Sequence, residues 1–488
     1  MKTRQRNTII YWALGIATFV GLLCFFWLSY PYHLRHREQT MLFLSNWDWI
    51  STTYLTQPRG GVVRLGGDWL QQYFYYIGAG PAIMAALLTM LGAVWFSIVK
   101  ALTRSIKPIL ANVIACVVAL LIILWEGGRE CLPEYPVSST LQVLGWSLVL
   151  LLWVKARRRW TRVLALVITL CSVYLFDYGL LPQTRGYGKP EWGVEHLMAL
   201  DVEASLGHWE EVERLCQEDQ GFDLDVYYRN LALAQQGRLA DELNHYRQYG
   251  TDGLLMPVND KGNYFTFSAA SEAWWAVGDL TMAEHATILG MIFSPRHTGS
   301  RSLKRLAEIA LAKGDKAGAD KYLRLLAQTA VHRDWAQRRL DNADEGMQAL
   351  QALHALQIDS PTTTDTLRLQ GEARLCLRNT LDAQPSRSGI ARDYLLCYDL
   401  LDKDMVSLAD DIERYGCPTK NRAYEEAMLI IMSSRPEMRE QWQPLVRVET
   451  FEEFQAFNHA LGQSQGQLPA LRKRFGNTYW YYMLKKNG

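Results

Sequence analysis

The sequence predicts an all-α protein in two parts: an N-terminal bundle of about five transmembrane helices (residues 1–181) and a helical-repeat α-solenoid (182–488). Three observations predict it. Apolar runs of spanning length crowd the first part. Basic residues fall on alternate turns between those runs. After residue 182, glycines recur between helical stretches at roughly regular intervals. A chain of 488 residues also exceeds what one core organises.

The apolar runs are 9–29, 77–99, 108–125, 138–154 and 161–181. The first follows the basic residues Lys2, Arg4 and Arg6, outlasts a signal-peptide core and lacks an A-x-A site, so it reads as an uncleaved anchor. The bulky Leu23 before Cys24 argues against a lipoprotein site. The fourth run is the shortest and opens with Ser138, Ser139 and Thr140. Charge decides the threading. With a cytoplasmic N-terminus, the inner turns hold Lys100, Arg104 and Lys107, then Lys155, Arg157, Arg158, Arg159 and Arg162. The outer loop 126–137 holds only Arg129. This arrangement follows the positive-inside rule, so an inner-membrane, multi-pass protein with an extracytoplasmic C-terminal domain is expected.

The first outer loop, 30–76, carries Met41, Leu42, Leu44, Trp47, Ile50 and Tyr54 at roughly helical spacing. An amphipathic helix on the outer membrane surface is expected there. Pro58-Arg59-Gly60-Gly61 breaks it, and an aromatic helix over about 68–76 leads into the second span. The loop also holds three carboxylates, Glu38, Asp48 and Asp68. Polytopic glycosyltransferases that use lipid-linked sugars keep an essential acid in the corresponding loop. One reading therefore makes these three the catalytic acids of a membrane enzyme acting on a lipid-linked or envelope substrate. The other makes them the solvated side of a surface helix.

In the second part, Gly207, Gly237, Gly278 and Gly314 stand between helical stretches at spacings of 30, 41 and 36 residues. Gly278-Asp279 is followed by Ala283 and Pro295, and Gly314-Asp315 by Ala319. These residues resemble the tetratricopeptide repeat, whose period is about 34 residues. Val212 and Glu242 occupy the small-residue position of the first two units and depart from the pattern. The resemblance implies a concave face lined by the first helix of each pair. In that register Tyr227, Glu272, Trp275, Arg301, Lys304 and Glu308 would line it, a set suited to an extended peptide or a carboxylate-bearing ligand. The aromatic tail, Tyr479 to Tyr482, reads as a cap on the last repeat.

Glu38-Gln39 with Leu42-Phe43, the break at 58–61, Arg305-Leu306-Ala307-Glu308, DYLLCYDLLDK at 393–403 and Thr478-Tyr479-Trp480 together resemble an uncharacterised family of Bacteroidota membrane proteins. Membership implies the same layout and brings no activity. Arg59 departs from a plain Pro-Gly-Gly turn.

Several chemistries lack their motifs. There is no G-x-x-x-x-G-K-[ST], H-E-x-x-H or G-x-S-x-G. The eight cysteines form no C-x-x-C pair, and no cofactor or metal site is expected. Glu191, Glu195 and His196 read as a solvated helix face. A net charge of +1 gives no bias towards nucleic acid. The expected partners are the lipid bilayer and a protein or peptide in the extracytoplasmic space. A membrane-anchored scaffold and a membrane enzyme remain as the two functional readings.

Overall fold

The computed structural model describes residues 2–29, 31–56, 60–132, 135–175, 192–217, 221–259, 261–353, 373–383, 389–418, 421–464 and 466–485. The protein is all-α, with no strand among the described residues. Its residues gather into two compact units. The first comprises Met1–Met198, Ser294–Lys304 and Lys321–Asp341; the second comprises Ala199–Phe293, Arg305–Asp320 and Asn342–Gly488. The expected boundary at 181/182 lies outside the described residues.

The first unit opens with α1 (Lys2–Ser29), α2 (Pro31–Gln39), α3 (Trp47–Ile50) and α4 (Gly61–Gln71). It continues with α5 (Ala79–Leu102), α6 (Pro108–Glu130), α7 (Val137–Lys155) and α8 (Arg159–Leu175). Four of these are long and apolar enough to cross a bilayer: α1 from Ile9, α5, α6 and α7. The chain is therefore membrane-associated. The fourth run forms a full 19-residue helix despite its hydroxyl residues. The fifth run is helical to Leu175, and its end, 176–181, lies outside the described residues. Phe26, Met84, Leu88, Leu91, Ile123 and Leu144 make the core between the helices. Outward residues such as Ile9, Leu28, Ile109 and Leu121 stay exposed, as lipid-facing side chains are in a structure without a bilayer. Close approach fixes several glycines, Gly92 and Gly67 among them. A Cβ at Gly92 would lie 2.5 Å from Ile123, and one at Gly67 would lie 2.6 Å from the backbone nitrogen of Ser138.

The first loop differs from its expected form. Residues 41–46 are not helical. Met41, Phe43 and Tyr54 are buried in a small core of their own, with Trp49, Ile50 and Leu65 packed on it. Their apolar groups turn inward because they have each other to bury against, so this stretch is not a surface helix. The second aromatic helix begins earlier than expected, at Gly61, and ends as a 3-10 turn over Gln72–Tyr75. The third apolar helix also runs further than its apolar stretch. It carries Glu126, Arg129 and Glu130 into the interior, where the sequence reading placed an outer loop.

The later chain forms α9 (Trp192–Leu206), α10 (Trp209–Cys216), α11 (Asp223–Gln235), α12 (Tyr264–Val277), α13 (Leu280–Ile292), α14 (Ser300–Lys313) and α15 (Lys316–Leu326). After these come α16 (Arg333–Asp341), α17 (Ala373–Ala383), α18 (Gly389–Asp402), α19 (Met405–Tyr415), α20 (Arg422–Ser434), α21 (Val448–Gln463) and α22 (Tyr479–Leu484). The four repeat glycines have positive φ, between 69° and 93°, and each separates two helices. Only glycine takes that conformation without steric cost, which is why helix–turn–helix pairs form there. Ala283 and Ala319 are buried where the pattern needs a small residue, and so is Val212.

The aromatic tail packs on the chain itself. Tyr479 and Trp480 are buried. The Tyr479 hydroxyl donates to the Leu400 carbonyl at 2.8 Å, and Trp480 lies 5.2 and 5.9 Å from the rings of Phe454 and Phe457.

Candidate functional site

The most unusual element is α2, PYHLRHREQ. Its composition is polar, yet His33, Leu34, His36, Arg37, Glu38 and Gln39 are buried. A buried charge is tolerable only when it is paired and hydrogen-bonded. The first unit supplies partners from four distant segments.

At the N-terminus of α2, the Glu195 carboxylate accepts the backbone amides of Tyr32 at 2.9 Å and His33 at 3.1 Å. A carboxylate there satisfies open donors and complements the helix dipole. Glu195 was read as part of a solvated face; its role as a cap overturns that reading, and His196 beside it is buried. The His33 ring donates through Nε2 to the Glu130 carbonyl at 3.0 Å, with Nδ1 3.5 Å from Glu195. Burial holds the His33 imidazole below its ordinary value, against the pull of Glu195.

Arg37 ties α2 to the end of α6. Its guanidinium donates to Glu130 Oε2 at 2.8 Å, to the Glu130 carbonyl at 2.9 Å and to the Leu132 carbonyl at 2.7 Å. Thr140 bridges Glu130 and Glu126, and the Tyr135 hydroxyl donates to Glu126 at 2.6 Å. Gln71 of α4 donates to the Arg37 carbonyl at 2.9 Å.

Glu38 points to the other late segments. Its Oε1 accepts from the Ser300 hydroxyl at 2.9 Å and from His332 Nε2 at 3.1 Å. The Tyr75 ring stands edge-on to His332 at 5.0 Å. Backbone bonds join the same segments: Ser300 donates to Met41 at 2.8 Å, and Ser45 donates to Gln328 at 2.7 Å. Asp68 accepts from Tyr54 at 2.8 Å and pairs with Arg296 at 2.7 Å. Burial, reinforced by the Asp68 charge, pushes the Tyr54 phenol well above its ordinary value.

The three candidate acids thus differ in setting. Glu38 and Asp68 are buried and engaged with groups of the chain. Asp48 lies in the first turn of α3, on an exposed stretch, where Asn46 caps its amide at 2.9 Å. Sequence reasoning missed Arg37, Glu130, Glu195, Ser300 and His332. The available signal was the charged triplet Glu126, Arg129 and Glu130 at the end of an apolar helix, since ionisable groups at a membrane boundary need partners.

Of the six expected groove residues, Glu272, Trp275 and Glu308 come together around Arg305. Its guanidinium pairs with Glu272 at 2.6 Å and Glu308 at 3.0 Å, and lies 4.6 Å from the Trp275 ring centre. Tyr227 is buried, edge-on to Tyr228 at 6.3 Å. Arg301 and Lys304 belong to the first unit, where Lys304 lies 5.3 Å over the Trp335 ring.

A second ionic cluster lies in the second unit. Arg374 holds Asp399, Asp402 and Asp404 at 2.7–2.9 Å, and Arg378 grips Asp411 at 2.8–3.1 Å. Burial, together with a hydrogen bond to Asp411, pushes Asp399 up to about 8 against the pull of Arg374. A carboxyl whose folded value exceeds its unfolded one binds its proton more tightly when folded. Its contribution is therefore fully present below the ordinary value of 3.8 and is lost as pH rises towards about 8. Melting temperatures of detergent-purified protein should therefore fall as pH rises above the ordinary carboxylate range. Asp399→Asn should flatten the dependence; an unchanged profile would remove Asp399 as its source.

No curated protein and no solved structure matches the chain. One family model matches, over residues 6–181 and 178–486, and its description is Family of unknown function (DUF6057). A match over nearly the whole length, taking in both the apolar helices and the later helical pairs, shows that the chain belongs to this family.

Proposed function

We propose that the protein is a membrane-anchored helical scaffold. Its chain beyond residue 191 lies on the extracytoplasmic side and binds partner proteins of the cell envelope. One observation carries this reading: Glu195 caps α2. At one end of the apolar helices, Tyr11 accepts from Lys100 at 2.7 Å and donates to Asn112 at 3.3 Å, beside the first basic turn. At the other end, Arg37 meets Glu130, and Gly67 of α4 meets Ser138 of α7. From Thr140, α7 runs about 22 Å to Lys155 at 1.5 Å per residue, back to the basic end. Glu195 is again at the Arg37 end. The chain between 155 and 195 therefore changes ends, which supports a fifth crossing. With the basic turns inside, the positive-inside rule assigns everything from Glu195 on to the outside.

Cysteine-accessibility labelling in intact cells tests the placement. A cysteine at Arg158 should react only after permeabilisation, and one at Lys316, whose side chain is exposed, should react without it. The reverse pattern would overturn it. Binding is tested by proximity labelling from the second unit, and the absence of any reproducible neighbour would sink the scaffold.

The enzyme reading keeps one favourable observation, the meeting of Glu38, Ser300 and His332. Here the carboxylate stands between the hydroxyl and the imidazole, so the order differs from the triad in which the imidazole itself takes the nucleophile's proton. Loss of a deletion-strain phenotype rescue by Glu38→Gln at undiminished protein level would favour the enzyme. Loss in step with protein level would favour the scaffold.

A further inference from the structure

Besides the outward faces of its spanning helices, the first unit leaves an apolar face of α4 outside its core. On α4, Gly61, Val63, Gly67, Asp68 and Gln71 are buried. The opposite side of the same helix carries Val62 and Trp69, which are exposed; Leu65 and Gly66 lie half-buried between them, Leu65 with one side on the Met41, Phe43 and Tyr54 core. Positions 62, 65, 66 and 69 recur at helical spacing, so they form one stripe. Tyr73, stacked edge-on to Trp69 at 5.4 Å, extends it into the 3-10 turn. Tyr76 and Ile77, 51% and 81% exposed, carry it to the start of α5.

We propose that this stripe lies in the headgroup–acyl boundary of the same bilayer the protein crosses, as an interfacial helix. Three features name lipid as what covers it. The stripe is continuous with a spanning helix, since Ile77 is two residues from the start of α5. Its depth is set by packing: Gly78 sits against Trp27 near the end of α1, and Gly67 sits against Ser138 at the start of α7. Both contacts hold α4 level with the ends of spans, not beyond them. Its chemistry also fits. Over residues 60–79 the charged residues are Arg64, half-buried, and Asp68, which is engaged by Tyr54 and Arg296 on the buried side. Tryptophan and tyrosine at span ends are the side chains favoured at the headgroup level. The inference rests on the membrane reading of α1, α5, α6 and α7, but not on the scaffold.

The test uses the full chain in lipid nanodiscs containing a phospholipid with a diazirine high on one acyl chain. After photolysis, lipid adducts are mapped by peptide mass spectrometry. Adducts are expected on the peptide covering 61–77 as well as on 79–102, and absent from 31–44, which the fold buries. Val62→Gln with Trp69→Gln should lower the 61–77 yield several-fold and leave the α5 yield unchanged. Adducts on the spans with none on 61–77 would overturn the proposal. So would a Trp69-dependent dimer that shields this peptide from lipid. Lack of adducts on the spans as well would instead overturn the membrane reading beneath it.

Discussion

Replacing Arg37 with methionine is expected to destabilise the first unit by about 3–5 kcal/mol, because it leaves a buried carboxylate without its counter-charge. Arg37 and Glu130 are 6% and 0% exposed, and the guanidinium also serves two carbonyls at the end of α6. Membrane-fraction abundance and the melting temperature in detergent should both drop. The double variant Arg37→Met with Glu130→Met should recover much of the loss, since removing both charges removes the cost of burying either. A single variant that melts like the wild type would mean that Glu130 does not depend on Arg37. A double variant no better than the single one would place the cost in the lost carbonyl bonds to Glu130 and Leu132.

Trp480→Ala should cost the second unit about 3–5 kcal/mol, as expected for deleting a large buried aromatic. The indole is 2% exposed and sits among Phe454 and Phe457. Tyr479→Phe should cost much less, about 1 kcal/mol, because it keeps the ring and removes only the hydroxyl's bonds to the Leu400 carbonyl and the Met483 sulfur. Limited proteolysis separates the two outcomes. The tryptophan variant should open α20 and α21 to cleavage, while the tyrosine variant should digest like the wild type. Equal sensitivity in the two variants would argue that the tail acts through its hydrogen bonds instead of its packing.

The parts of this fold that were legible in the sequence are those whose signal is local. A spanning helix satisfies its own backbone and shows as a continuous apolar run, so α1, α5, α6 and α7 could be read directly. The repeat turns were legible because positive φ requires a particular residue, and Gly207, Gly237, Gly278 and Gly314 supplied it. The buried polar helix was not legible. Arg37 finds Glu130 93 residues away, and Glu38 finds Ser300 and His332 at separations of 262 and 294. Ion pairs at such separations leave no periodic trace, so in PYHLRHREQ the sequence singled out Glu38 alone, without its partners. The groove residues are divided by contacts that the repeat register does not carry. The register assumed that Arg301, Lys304 and Glu308 share one continuous face, but Arg305 draws Glu272 and Glu308 to itself while the first turn of α14 joins the segment that meets Glu38 and Met41.

The separation between Glu38 and His332 also sets a schedule. Residues are synthesised in order, so α2 reaches the membrane long before the side chains that complete it. At about 5–20 residues per second, the 294 residues between them take about 15–60 s to make. Arg37 can pair early, because Glu130 follows within the same group of apolar helices. Glu38 lacks Ser300 until 262 further residues have been made, and His332 until 294 have. A chain that stops short of residue 332 therefore retains an incomplete first loop at the membrane surface, whatever the condition of its spans.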